Sequence, residues 1–178
     1  MLWLVVGTGI VVALLRGGKL RIEDVGLRAM WVAPAALALQ LFSFVAPGTL
    51  LNAVLILTSY SLLVYGLVRN SHLQSLRLVL LGVILNMLVI AANGGRMPVD
   101  PRAAQASGVN IESVLAGAEA KHVVAGPETR LSFLGDVIPV PLVRRVISVG
   151  DIAISLGLFL LIQDLMGRRL EIDLGPGG

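Results

Sequence analysis

The sequence predicts an all-α membrane protein of about five transmembrane helices that carries a small ordered extracytoplasmic loop. Three observations lead there. Apolar residues gather in blocks of roughly 15 to 20, the length a helix needs to cross a hydrocarbon core of about 30 Å. Only 14% of the 178 residues are charged, against about 25% in a soluble globular domain, and mean hydropathy is +0.89. Nearly all of the charges fall outside the blocks, in the connectors and the tail.

The expected spans cover residues 1–15, 29–46, 50–68, 78–92 and 146–165. The first is followed at once by Arg16, Lys19 and Arg21, whereas a signal peptide carries its positive charges before the apolar stretch. It therefore reads as a retained span. Trp31 opens the second block, at the depth where an indole ring favours the headgroups. Pro47-Gly48-Thr49 is a turn tight enough only for a hairpin between two helices. Residues 1–167 thus form one membrane domain, and the tail 168–178, ending Gly-Pro-Gly-Gly, is expected to be disordered in the cytoplasm.

Orientation follows from the basic residues of the short connectors. One side receives Arg16, Lys19, Arg21, Arg28, Arg69, Arg77, Arg168 and Arg169, and the Pro47–Thr49 turn opposite has none. The N-terminus is expected outside, the C-terminus in the cytoplasm, and residues 93–145 outside. A net charge of +3, read as a topology signal, gives no clustered basic face for nucleic acid. The absence of cysteine excludes disulfides, thiolate metal sites and a cysteine nucleophile. No phosphate-binding glycine loop, nucleophile elbow or paired-histidine motif is present, so neither a cofactor nor a metal is expected.

The outer segment is too long for a plain connector. Asn110 is a fair cap for a short helix reaching Ala120, and Gly126-Pro127 ends it. Thr129 to Pro141 reads as a small β-hairpin with Gly135-Asp136 at its turn.

An ionisable group at membrane depth costs about 2.5 to 3.5 kcal/mol and is a functional candidate by default. Asp151, one turn into the last span, qualifies. Its structural explanation is a carboxylate at a helix N-terminus with Ser148 as cap. Its functional one is an inward-facing acid that pairs with Arg96 or Arg130, or acts on a substrate. The second unusual run is Asn93-Gly94-Gly95-Arg96-Met97-Pro98, where the glycines and Pro98 terminate a helix and Asn93 and Arg96 stand at the outer interface. Gln40, Asn52, Ser59, Ser61 and Asn86 read as interhelical hydrogen-bonding groups. Lone His122 carries little weight.

The Ile147-Ser148-Val149-Gly150-Asp151 run, with the apolar stretch 152–162, resembles the last span of the aspartic lipoprotein signal peptidases. That resemblance implies Asp151 as a catalytic carboxylate at the outer interface. The family's preceding helix ends Gly-Asn-x-x-Asp-Arg. Asn93 matches its Asn, but Arg96 occupies the place of its second Asp, leaving Asp100 or Asp136 to supply that acid. The Asn-Gly-Gly-x-Met-Pro run and Gly150-Asp151 also resemble a family of small bacterial multi-pass membrane proteins of unassigned function, over most of the length. This implies a bacterial inner-membrane location.

The expected function is therefore binding of a lipid, a peptide or a protein partner at an outer pocket lined by Asn93, Gly94, Gly95, Arg96, Asp136 and Asp151. The rivals are a membrane-embedded hydrolase using Asp151 as acid or base, and a small transporter or channel subunit.

Overall fold

The computed structural model describes residues 2–18, 26–45, 48–109 and 122–166. Five long helices occupy the five apolar blocks: α1 (Leu2–Leu15), α2 (Val32–Val45), α3 (Thr49–Arg69), α4 (Gln74–Ala92) and, last, α6 (Val149–Leu165). Helices α3 and α4, with 21 and 19 residues, are long and apolar enough to cross a membrane. The other three hold 14, 14 and 17 residues. Five full-length spans are thus not what the helix lengths give. At 1.5 Å per residue a 14-residue helix reaches about 21 Å, and α2 becomes helical only at Val32, three residues into its block. At the last block, Arg145–Ile147 is a strand, so the helix starts at Val149 and not at Val146.

The helices pack in a row, α2 on α3, α3 on α4, α4 on α6 and α6 on α1. Small residues set the closest contacts. A Cβ on Gly82 would run into the Gly150 carbonyl, and one on Gly157 would lie 2.6 Å from a Val79 methyl, so α4 and α6 meet backbone to backbone. Leu76, Val79 and Val83 of α4 fill this seam against Ile154, Leu158 and Leu161. Helix α1 docks on α6 through Gly9, whose carbonyl accepts from Gln163 Nε2 at 2.9 Å and whose Cα faces Ile162.

Polar residues within the row tie neighbours together. Gln40 Nε2 donates to Ser59 Oγ (2.9 Å), Ser59 Oγ to the Ala36 carbonyl (3.0 Å), and Asn52 Nδ2 to the Ser43 carbonyl (2.9 Å), all between α2 and α3. Ser61 departs from this pattern, since its hydroxyl returns to Leu57 of its own helix. An exposed hydroxyl in mid-helix has a carbonyl one turn back as its nearest acceptor.

One end of the row is covered by a small cap. Strand β1 (Met97–Val99) pairs in parallel with β2 (His122–Val124), Met97 opposite His122, and α5 (Pro101–Ala106) follows β1. Strand β3 (Ile138–Val140) pairs antiparallel with β4 (Arg145–Ile147), and Ser107 Oγ of the α5 terminus donates to the Arg145 carbonyl at 2.9 Å. The hairpin expected over Thr129–Pro141 does not form there: Ser132–Leu134 is a 3₁₀ turn, and the hairpin observed runs from Ile138 to Ile147. Its connection is the 3₁₀ turn Pro141–Val143 closed by Arg144 at φ 50°, not Gly135-Asp136. Gly135-Asp136 is engaged elsewhere: Asp136 N–H donates to the Pro98 carbonyl (2.8 Å) and its own carbonyl accepts from Asp100 N–H (2.9 Å). The expected helix from Asn110 to Ala120 and the expected disordered tail lie outside the described residues.

Candidate functional site

The site grows from the start of α6. Ser148 is the N-cap, with its hydroxyl accepting from Asp151 N–H at 2.9 Å while Asp151 Oδ2 accepts from Ser148 N–H at 3.2 Å. This reciprocal box satisfies two of the donors that a helix start leaves open. The second carboxylate oxygen, Oδ1, accepts from Asn86 Nδ2 of α4 at 2.9 Å, and Asn86 Oδ1 in turn accepts from Ser148 Oγ at 2.9 Å. Asn86 reaches this position because Gly150 has no side chain, as a Cβ there would collide with the Asn86 amide oxygen. Asp151 therefore faces the helices. The expected pairing with Arg96 or Arg130 is replaced by the Asn86 amide. Arg130 lies exposed in the cap, with its backbone engaged by Asn93.

Beneath the cap lies a cavity of about 130 Å³. Ile56, Ile90 and Met97 supply its apolar wall, and Gly95 presents backbone to it. Its polar lining is Gln40, Tyr60, Asn86, His122, Asp136 and Asp151. Each element contributes for a local reason. The β1–β2 register sets His122 beside Met97, and the backbone bonds to Pro98 and Asp100 hold Asp136 over the helix ends. His122 Nε2 stands 3.7 Å from Asp136 Oδ2. Asp136 is 7% exposed. Burial, followed by the charge of Asp151, pushes its carboxyl up from 3.8 to about 7.

The Asn93–Arg96 corner divides. Gly95 lines the cavity at φ 84°, and a Cβ there would strike Ala53 of α3. Gly94, at φ 67°, meets nothing and serves the turn. Asn93 is a clamp, with Nδ2 donating to the carbonyls of Val89 and Arg130 at 2.8 Å each and Oδ1 accepting from Arg130 N–H at 3.0 Å. Arg96 is half-buried and does not line the cavity. Asn93→Ala removes the tie between α4 and the 130 segment, and a loss of roughly 2 to 3 kcal/mol is expected from three hydrogen bonds. Thermal unfolding with proteolysis of the cap checks it, and an unchanged midpoint would mean that the clamp contributes nothing.

Of the residues singled out in the sequence, the structure brings Asp151, Asp136 and Gly95 to one cavity and leaves Asn93, Gly94 and Arg96 beside it. Tyr60 went unmarked, although a phenol in the middle of an apolar helix needs a polar neighbour and was a readable signal. Among the described residues no three His, Asp or Glu side chains converge as metal ligands. What the arrangement does offer is a pair of carboxyl groups in unequal surroundings, one accepting from the Asn86 amide and the Ser148 N–H and one buried.

No curated protein and no solved structure matches the chain. Residues 24–163, which hold every side chain lining the cavity and leave α1 outside, match the model of a family of unknown function, DUF5317, and the chain belongs to that family.

Proposed function

We propose that this is a five-span protein of the bacterial inner membrane, N-terminus out and C-terminus in the cytoplasm, whose capped outer cavity binds a ligand through a protonated amine. The apolar surface of the shorter helices supports the membrane reading. Leu4, Val11 and Leu14 of α1, Leu37, Leu41 and Phe42 of α2, and Ile152 and Leu156 of α6 are all exposed, and water penalises so continuous an apolar surface. Local thinning of the bilayer and snorkelling of flanking residues accommodate short spans at a fraction of a kcal/mol per Å.

One observation carries the binding reading. Two carboxyl groups, Asp136 and Asp151, line a single cavity whose lining holds no Lys or Arg. An ammonium group entering there gains two acidic acceptors, the Tyr60 oxygen and the amide oxygen of Gln40. The amine of a lipid headgroup or of a peptide's lysine side chain both have this chemistry. The test is thermal unfolding of the detergent-purified chain with a short-chain phosphatidylethanolamine, its N-trimethylated counterpart, or a lysine-containing peptide. The amine ligand is expected to stabilise by about 2.7 kcal/mol at a hundredfold excess over Kd, and Asp151→Asn is expected to abolish the effect. Equal stabilisation by the trimethylated lipid, or full stabilisation of Asp151→Asn, would remove the reading.

A second reading, a hydrolase of lipid-linked substrates, is favoured by a different observation. Asp136 stands at the cavity that Asp151 lines, where the resemblance to aspartic lipoprotein signal peptidases left the second acid unassigned. Carboxyl groups in unequal surroundings suit an acid and a base acting on one water. Turnover of a lipid-linked peptide that is lost in both Asp136→Asn and Asp151→Asn, with folding retained, would establish it.

A further inference from the structure

At the end of the helix row opposite the cap, α2 and α3 enclose a groove of about 240 Å³ that is almost wholly apolar. Val32 and Ala33 form one wall, Leu63 and Leu67 the other, and Gly66 allows contact at the floor, where a Cβ would lie 2.7 Å from Val32. Arg28 stands at the rim. Its backbone is gripped on both sides by Asn70, which accepts from Arg28 N–H at 2.7 Å and donates to the Arg28 carbonyl at 2.7 Å, while bonding Gly66 of its own helix. Gly26 and Ala29 flank it at φ 62° and 52°. Left-handed backbone at a non-glycine residue such as Ala29 costs about 1 kcal/mol or more, so this turn is held by its surroundings. The turn places an exposed guanidinium that has no acidic partner among the described residues, at the mouth of a groove that water would not fill favourably. Met30 and Trp31 beside it are 62% and 59% exposed, an indole where headgroups lie.

We infer that the α2–α3 groove holds one acyl chain of an anionic phospholipid whose phosphate rests on Arg28. The apolar trough fits the chain, and the guanidinium fits the phosphate bidentately. Arg69 and Arg77 stand at the same end of the row and add to its positive potential, against Asp164. The site lies at the other end of the helices from the acidic cavity and does not depend on what that cavity binds.

Native mass spectrometry of the full chain, titrated with phosphatidylglycerol and with phosphatidylcholine of equal acyl length, tests it. Phosphatidylglycerol is expected to be retained about fivefold more strongly, the worth of one Arg at an anionic headgroup. Arg28→Ala leaves the Asn70 grip intact, because that grip holds only backbone, and is expected to lower phosphatidylglycerol to the level of phosphatidylcholine. Ala33→Trp fills the trough and is expected to reduce both. Undiminished phosphatidylglycerol on Arg28→Ala, or undiminished binding on Ala33→Trp, would overturn the assignment. So would a failure of either lipid to bind the unaltered chain.

Discussion

Replacing Gly150 by valine is expected to separate α4 from α6 and to cost roughly 3 to 5 kcal/mol, the range for steric insertion at a closed backbone contact combined with loss of a buried hydrogen-bond network. Any Cβ at position 150 meets the Asn86 amide oxygen and lies 2.8 Å from the Gly82 carbonyl. Neither can move far. Asn86 is held by Ser148 and Asp151, and Gly82 lies inside a helix whose opposite side packs on α3. Valine therefore breaks the Asn86 bonds to both residues and leaves buried polar groups unpaired. Thermal unfolding in detergent is the measurement, with Gly126→Ala as control, since the space around Gly126 is open. A midpoint for Gly150→Val equal to that of the control would show that the helices do not meet as described.

Asp136→Asn is expected to change how stability depends on pH. In the fold the Asp136 carboxyl keeps its proton up to about pH 7, whereas its ordinary value is 3.8. Between these values the folded chain binds the proton and the unfolded chain does not. Stability is therefore complete below about pH 4, falls as pH rises through the window, and levels off above 7. The full loss approaches about 4 kcal/mol. The titratable groups around this carboxyl are His122 at 3.7 Å and Asp151 and Tyr60 of the same cavity, and the substitution changes none of them. The amide does not ionise, so Asp136→Asn is expected to flatten the profile and to be the more stable protein at pH 8. Parallel profiles for the two proteins between pH 4.5 and 8 would refute a buried protonated carboxyl.

What could be read from the sequence was what depends on neighbours along the chain. The apolar blocks gave α3 and α4 to within a few residues, because bilayer-length hydrophobicity and bounding polar residues are local signals. Ser148 and Asp151 were legible as a cap for the same reason. Asn86 was legible as an interhelical group, but not which carboxylate it would meet, since Asp151 is 65 residues away. The hairpin turn was misplaced at Gly135-Asp136 because a Gly-Asp pair signals a turn wherever it falls, and nothing nearby reveals that its backbone pairs with Pro98 and Asp100. The nearness of Asp136 to Asp151 depends on that pairing, so the second acid was a candidate among two until the cap was seen. Arg96 drew attention by its charge at a helix end, yet the cap turns the chain so that its glycine neighbour borders the cavity.

Helix α1 docks on α6, and the two residues joined by the Gln163–Gly9 bond are 154 positions apart. A ribosome adds about 5 to 20 residues per second, so roughly 8 to 30 seconds separate the emergence of Gly9 from that of Gln163, whose amide donates to its carbonyl. During that interval α1 lacks the α6 surface it packs on, while α2, α3 and α4 already have one another. Assembly thus closes from the far end. Helix α6 fixes α1, and a nascent chain halted before position 149 carries an unmatched α1.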